Sequence, residues 1–245
     1  MNINTPKSLR FSLSSLMFSA VATSFCFNNT VQAHTLADTL DKSPQSAQAS
    51  TQVLIDAKSV LMAKLANLNY FSANFSQEVL SEKGEILEQS SGELAISKPN
   101  LANWHTIEPD ELAIVSDGQD VWFYNPWIEQ VSVYALSAAI AKTPILLLTS
   151  KDESLWQEYN VTKLANTPKE SFMISAKDLN SQIKSLTLEF DHENDGQLTQ
   201  FSFLDATGQL SKITLSNFNA QHKPKASLFD FVIPDGVQID DQRAN

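Results

Sequence analysis

Two apolar runs, Leu112-Ala113-Ile114-Val115 and Val121-Trp122-Phe123-Tyr124, flank the turn sequence Ser116-Asp117-Gly118-Gln119. Asp-Gly between apolar runs is a strong hairpin signal, because a tight two-residue turn needs positive φ. Both runs are apolar at odd and even positions alike. Successive side chains of a strand point to opposite faces, so this hairpin has no face to leave in water. Something must cover the second face: a helix, another sheet, or a hydrophobic ligand. The hairpin lies in a stretch, Ser97 to Gln130, that holds three of the four tryptophans, Trp104, Trp122 and Trp127. Further turn signals at Pro99-Asn100 and Glu108-Pro109-Asp110-Glu111 divide that stretch into three or four short strands.

The rest of the chain extends the pattern. Leu54, Ala57, Leu61, Leu65 and Leu68 recur at spacings of three and four, the mark of an amphipathic helix. After Asn69 the period becomes two, with Phe71, Ala73, Phe75 and then Val79. Later, Leu186, Leu188 and Phe190 alternate with Thr187, Glu189 and Asp191; Asn194-Asp195-Gly196 turns the chain; Phe201 and Phe203 continue on the next strand. Another turn at Thr207-Gly208 leads to Ile213 and Leu215. Of six glycines, five stand in turn contexts, while Gly92 stands inside a strand and predicts a bulge or a close backbone approach. About ten strands joined by short turns form an antiparallel sheet that has to curl or close. Helical signals are few: the N-terminal helix, a short one around Leu136 to Ala141, and one opened by Thr143 as N-cap and Pro144 at the first position. That last segment reads Ile145-Leu146-Leu147-Leu148, apolar on every side, and must be buried against something.

At the N-terminus, Lys7 and Arg10 precede a mostly apolar run from Phe11 to Phe27, and Val31-Gln32-Ala33 offers a cleavage site before His34. Residues 1–33 therefore read as a secretory signal peptide. The run is too short and too serine-rich for a comfortable membrane span of about 20 residues. Residues 34–52, rich in Ser, Ala, Gln and Thr, read as a mobile leader, and 53–245 as a single domain. Cys26 is the only cysteine; bulky Phe25 before it argues against lipidation there. Cleavage after Ala33 leaves a cysteine-free chain without disulfides or thiolate chemistry. The formal net charge of −11 becomes −13 once Lys7 and Arg10 are lost with the signal. So acidic a chain does not hold a phosphate backbone, and no basic run suggests nucleic-acid binding.

Motifs for catalysis are missing. No GxSxG, GxGxxG or P-loop occurs, and the four histidines (34, 105, 192, 222) are isolated, which gives no zinc pair. Asp191-His192-Glu193-Asn194-Asp195-Gly196 matches the opening of a calcium loop but has Ser202 where the closing Glu belongs, so it reads as a hairpin tip. The acidic pairs Asp110/Glu111 and Asp240/Asp241 lie in turn-like or terminal contexts that do not desolvate them. The residues alone give a secreted, acidic, β-rich domain with more apolar strand surface than one filled core needs.

Several motifs in order carry a resemblance: Pro99-Asn100-Leu101 and Asn103-Trp104, then Val115-Ser116-Asp117-Gly118, Trp122-Phe123-Tyr124-Asn125-Pro126, Glu129-Gln130, Thr143-Pro144, and Asp240-Asp241-Gln242-Arg243. From about Val53 to the C-terminus the chain resembles the LolA family of periplasmic lipoprotein carriers. The resemblance implies an incomplete antiparallel β-barrel, mainly β in an α+β sense, with a lid of short α-helices over an apolar cavity. It implies a monomer that takes acylated lipoproteins from an inner-membrane ABC transporter to an outer-membrane receptor, with no catalysis and no cofactor. On this reading Ile145, Leu146, Leu147 and Leu148 form the lid, and Leu61, Leu65, Trp104 and Phe123 line the lipid-binding surface with it. The family usually has Arg where this chain has Lys98, a residue that latches the empty form by hydrogen-bonding lid-helix carbonyls. Lys has three donors on a flexible stem instead of five in a fixed fork, so it should latch fewer carbonyls. Ala102 replaces a usual aromatic, which should loosen the entrance or alter docking to the transporter. Three other readings compete: a lipid-anchored outer-membrane receptor of the same fold, a lipocalin-like carrier of small hydrophobic ligands, and a glycan-active enzyme using the acidic pairs.

Overall fold

Twelve strands hydrogen-bond into one sheet in the order β12-β6-β5-β4-β3-β2-β1-β11-β10-β9-β8-β7. The computed structural model describes residues 56–140, 144–150, 154–192 and 196–243. The predicted signal peptide and leader, Cys26, Val53, Leu54, Ala141, Thr143 and Glu193-Asn194-Asp195 lie outside the described residues. The strands are β1 (Tyr70–Leu80), β2 (Ile86–Ser97), β3 (Leu101–Glu108), β4 (Leu112–Asp117), β5 (Asp120–Asn125), β6 (Gln130–Ala135), β7 (Tyr159–Leu164), β8 (Glu170–Ala176), β9 (Ile183–Phe190), β10 (Leu198–Asp205), β11 (Leu210–Asn219) and β12 (Gln238–Asp241). Every pairing is antiparallel except β12 with β6. Two meanders, β1–β6 and β7–β11, are joined where β1 pairs with β11.

This order decides where the short helices go. Strand β6 and strand β7 stand near opposite ends of the sheet, yet they are consecutive in the chain. The described parts of that connection, 136–140, 144–150 and 154–158, pack into the hydrophobic cluster on the concave face. They do so as helix α2 (Leu136–Ile140) and two 3₁₀ segments, Pro144–Leu148 and Leu155–Glu158. The second segment is 3₁₀ where an α-helix was expected; four consecutive apolar residues have no period from which the helix type could be read. Helix α1 (Ala57–Asn67) joins them on this face, capped by the Asp56 carboxylate, which accepts from the Ser59 N–H at 3.3 Å.

Cross-strand register sorts the side chains. Leu94, Trp104, Ile114 and Phe123 are successive partners across β2–β5 and share the concave face. Ala95, Asn103, Val115, Trp122 and Val133 are likewise partners and share the convex face. Both faces are covered, as the two-sided apolarity of the hairpin requires. The convex cover, however, is neither helix layer, second sheet nor ligand: it is the chain's own segment between β11 and β12. Phe231 stacks on Trp122 at 5.6 Å between centroids and lies 5.8 Å from Tyr124. Phe229 is buried, and the Leu228 carbonyl accepts a hydrogen bond from Asn103 Nδ2 at 2.6 Å. The Asp240-Asp241-Gln242-Arg243 motif fastens the end of this strap. Arg243 binds Asp241 and, at 2.8 Å, Asp120 at the start of β5.

Gly92 shows why the sheet tolerates no side chain at one point. A Cβ there would lie 2.0 Å from the His105 carbonyl oxygen on β3 and 2.9 Å from the Phe75 ring. The register with β3 shifts at Ser91/Gly92, so bulge and close approach coincide. Gly118, at φ 97°, opens the two-residue turn between β4 and β5.

Candidate functional site

One hydrophobic cluster fills the concave side, and it contains most of the residues that the sequence pointed to. Leu61 and Leu65 from α1, Trp104 from β3, and Ile145, Leu146, Leu147 and Leu148 from the 3₁₀ segment Pro144–Leu148 are all buried in it. Phe123 is half-buried against the same cluster and meets Tyr134 edge-on at 5.5 Å. Trp104 packs its ring 4.2 Å from Phe75 and 6.1 Å from Phe201, while its indole N–H donates to Thr106 Oγ1 at 3.1 Å. That bond satisfies the one polar atom of an otherwise apolar side chain. Ala102, in place of an aromatic, is buried on the concave face between Ile96 and Ser116.

Among the described residues one void of about 10 Å³ is bounded by Ile140 and Leu147 on one side and by Tyr159, Ile174 and Leu186 on the sheet side. This is about the least volume that can hold one water. Ile145–Leu148 contributes about four leucine-sized side chains, each worth roughly 1.5–3 kcal/mol when kept from water.

Polar contacts tie the turn between β2 and β3 to α1 and to the end of the 3₁₀ segment. Lys98 Nζ donates to the Leu65 carbonyl, in the last turn of α1, at 2.6 Å. Two residues on, the Asn100 N–H donates to the Thr149 carbonyl, at the end of that 3₁₀ segment, at 3.1 Å. Thr149 Oγ1 in turn donates to the Leu146 carbonyl at 2.7 Å, closing that segment's last turn. The turn thus contacts both α1 and the residue that follows the 3₁₀ segment Pro144–Leu148. Asn100 adopts φ 62°, and its carbonyl accepts from Ser116 Oγ at 2.6 Å, while its side-chain Oδ1 is buried with no partner among the described residues. An unsatisfied buried acceptor costs about 1–3 kcal/mol. Sequence reasoning found Lys98 but not Asn100, because the latter acts through its backbone. It also missed Trp156, buried in the cluster, whose carbonyl accepts from Lys58 Nζ at 2.7 Å.

Members of both acidic pairs are engaged by neighbouring side chains. Glu111 meets His105 at 3.0 Å on the exposed surface, and Asp240 accepts from Ser132 Oγ and Gln242 Nε2. Among the described residues no group of three His, Cys, Asp or Glu side chains is placed to hold a metal ion.

Comparison with known proteins decides the family. Residues 66–232 match the family model described as outer membrane lipoprotein carrier protein LolA. The chain belongs to the LolA family. Among its LolA relatives, an outer-membrane lipoprotein carrier protein from Aeromonas salmonicida is 41% identical over 195 residues, covering 80% of this chain and 94% of the relative. One of the same description from Serratia proteamaculans is 40% identical over 198 residues, covering 81% and 94%. A solved LolA superfamily protein from Nitrosomonas europaea aligns over 72% of this chain and 98% of its own, at 14% identity and a TM-score of 0.42. Membership of the LolA family rests on the sequence relatives and not on that likeness.

Proposed function

We infer that the chain is a periplasmic carrier that accepts acylated lipoproteins released by an inner-membrane ABC transporter, shields their acyl chains, and delivers them to an outer-membrane receptor. The observation that carries this is an apolar concave sheet face covered by short helical segments of the chain's own, in a relative of named lipoprotein carriers. Each methylene kept from water is worth about 0.8 kcal/mol, so a multiply acylated anchor crossing water requires a large apolar refuge. Delivery requires that the refuge not hold its cargo too firmly. A lid that packs well only when cargo is absent offsets part of the binding energy and favours release. Among the described residues no helix is long and apolar enough to cross a membrane, which fits a shuttle. The protein works by sequestration, without turnover and without a cofactor.

The test is incubation with spheroplasts or with membranes containing the transporter. Lipoproteins should appear in the soluble fraction bound to this chain; none would overturn the carrier reading. Mass spectrometry of the mature protein separates carrier from receptor. An unlipidated N-terminus at or near His34 fits the carrier, and a diacylated Cys26 fits a tethered receptor.

A further inference from the structure

Helix α1 packs against β7, and one of its side chains reaches beyond that strand. Lys64 Nζ lies 2.7 Å from Glu170 Oε2 on β8, and the other oxygen of the same carboxylate, Oε1, is 2.7 Å from Lys163 Nζ on β7. Lys64 also sits 5.3 Å over the Phe190 ring on β9, and a Cβ on Gly196 would be 3.1 Å from its ammonium. Lys163 lies over Phe172 at 5.7 Å. Glu170 is 14% exposed and Lys64 25%, which separates this group from the freely solvated pairs that contribute little. Burial pushes the Glu170 carboxyl up, but hydrogen bonds from Lys163 and Lys64 outweigh it and hold the group below the ordinary carboxylate range.

We propose that Glu170, held by Lys163 and engaged by Lys64, is a second latch that positions α1 over the apolar interior, so that lipoprotein entry requires this ionic group to open as well as the Lys98 bond. The proposal rests on the carrier reading for its consequence, but its geometry stands apart from it. Lys98 grips α1 from the β2–β3 turn; Lys64 grips the far edge of the same sheet, where β7 and β8 end the ladder. With Lys58 holding the Trp156 carbonyl, α1 is pinned to the sheet on two sides and to the lid-side connection. The helix that buries Leu61 and Leu65 therefore cannot lift by breaking one contact. Lys163 makes no part of the bridge to α1 and serves as an internal control: its bond to Glu170 joins two sheet strands.

The experiment compares wild type with Lys64→Met, Glu170→Gln and Lys163→Met. Methionine keeps the stem that packs on Phe190 and preserves helix propensity. Hydrogen exchange of the α1 amides reads the latch without cargo. Roughly tenfold faster exchange confined to α1 is expected in Lys64→Met and Glu170→Gln, with a smaller effect in Lys163→Met and the β1–β2 amides unchanged. Lipoprotein uptake from transporter-containing membranes and transfer to receptor-bearing membranes are then measured on the same proteins. Uptake should be kept, and transfer should fall several-fold in the first two variants. Unchanged α1 exchange in Lys64→Met, or equal effects in Lys163→Met and Lys64→Met, would overturn the latch and leave an ordinary strand-edge ion pair. Accelerated exchange with no uptake even by wild type would overturn the carrier reading while leaving the latch standing.

Discussion

Gly92 is the position at which a single methyl group should do most damage. Its missing Cβ makes room for the His105 carbonyl on one side and the Phe75 ring on the other, and Phe75 in turn supports Trp104. Gly92→Ala should cost about 3 kcal/mol or more, since the obstacle includes backbone that cannot move without breaking the β2–β3 ladder. Urea unfolding measures this; a loss under 1 kcal/mol would show that the strands slide apart freely. Leu147 poses the opposite test. Leu147→Glu puts a carboxylate against Ile174 and Leu186, where a charge is heavily penalised. The lid segment should bow outward, and the sheet should keep its cooperative melting transition while lipoprotein uptake falls at least tenfold. Collapse of the melting transition would instead make Ile145–Leu148 a plug that the fold requires. At this scale the sequence was informative about apolar residues. Leu61, Leu65, Trp104 and Ile145–Leu148 were readable because their side chains act by being buried. Asn100 was not, since its contribution is a backbone N–H held at positive φ, which no composition signal reports.

Among the elements, α1 is one whose attachment depends on charge. Glu170 has its carboxyl lowered from the ordinary value of 4.5. A group lowered in the folded state stabilises it above the unfolded value, and that stability is lost as pH falls through the folded value. Anchoring of α1 should therefore be constant from pH 7 down to about 5 and weaken only below 4.5. Exchange of the α1 amides against pH checks this, with Glu170→Gln flat over the same range; weakening already at pH 6 would point to a different titrating group. The strap between β11 and β12 illustrates what a sequence hides at this scale. Two-sided apolarity of Leu112–Val115 and Val121–Tyr124 announced that a cover existed. Its identity could not be read, because Phe229 and Phe231 lie more than a hundred residues downstream of Trp122 in a stretch without strand or helix periodicity. Long-range partners leave no local pattern. The lid's position was hidden for a related reason: it follows from β6 and β7 standing near opposite ends of one sheet, a matter of strand order rather than of any residue.

For the molecule as a whole, the depth of the closed state should set the balance between taking cargo and giving it up. Lys98→Leu removes the bond to the Leu65 carbonyl, a charge-assisted bond worth about 1.5–3 kcal/mol. Such a variant should accept lipoproteins as well as wild type or better, yet pass them to receptor membranes about tenfold less, because closing returns less free energy. Lys98→Arg should shift the other way, its fork being able to hold more carbonyls at once. Equal transfer by all three proteins would remove Lys98 from the cycle. The lid is also a chain segment with both ends spoken for, one in β6 and the other in β7. A flap hinged on one side swings clear; a cord moored to both banks can only bow. Its 23 residues, 136–158, have a contour of about 75 Å when drawn straight, which caps how wide the mouth can gape.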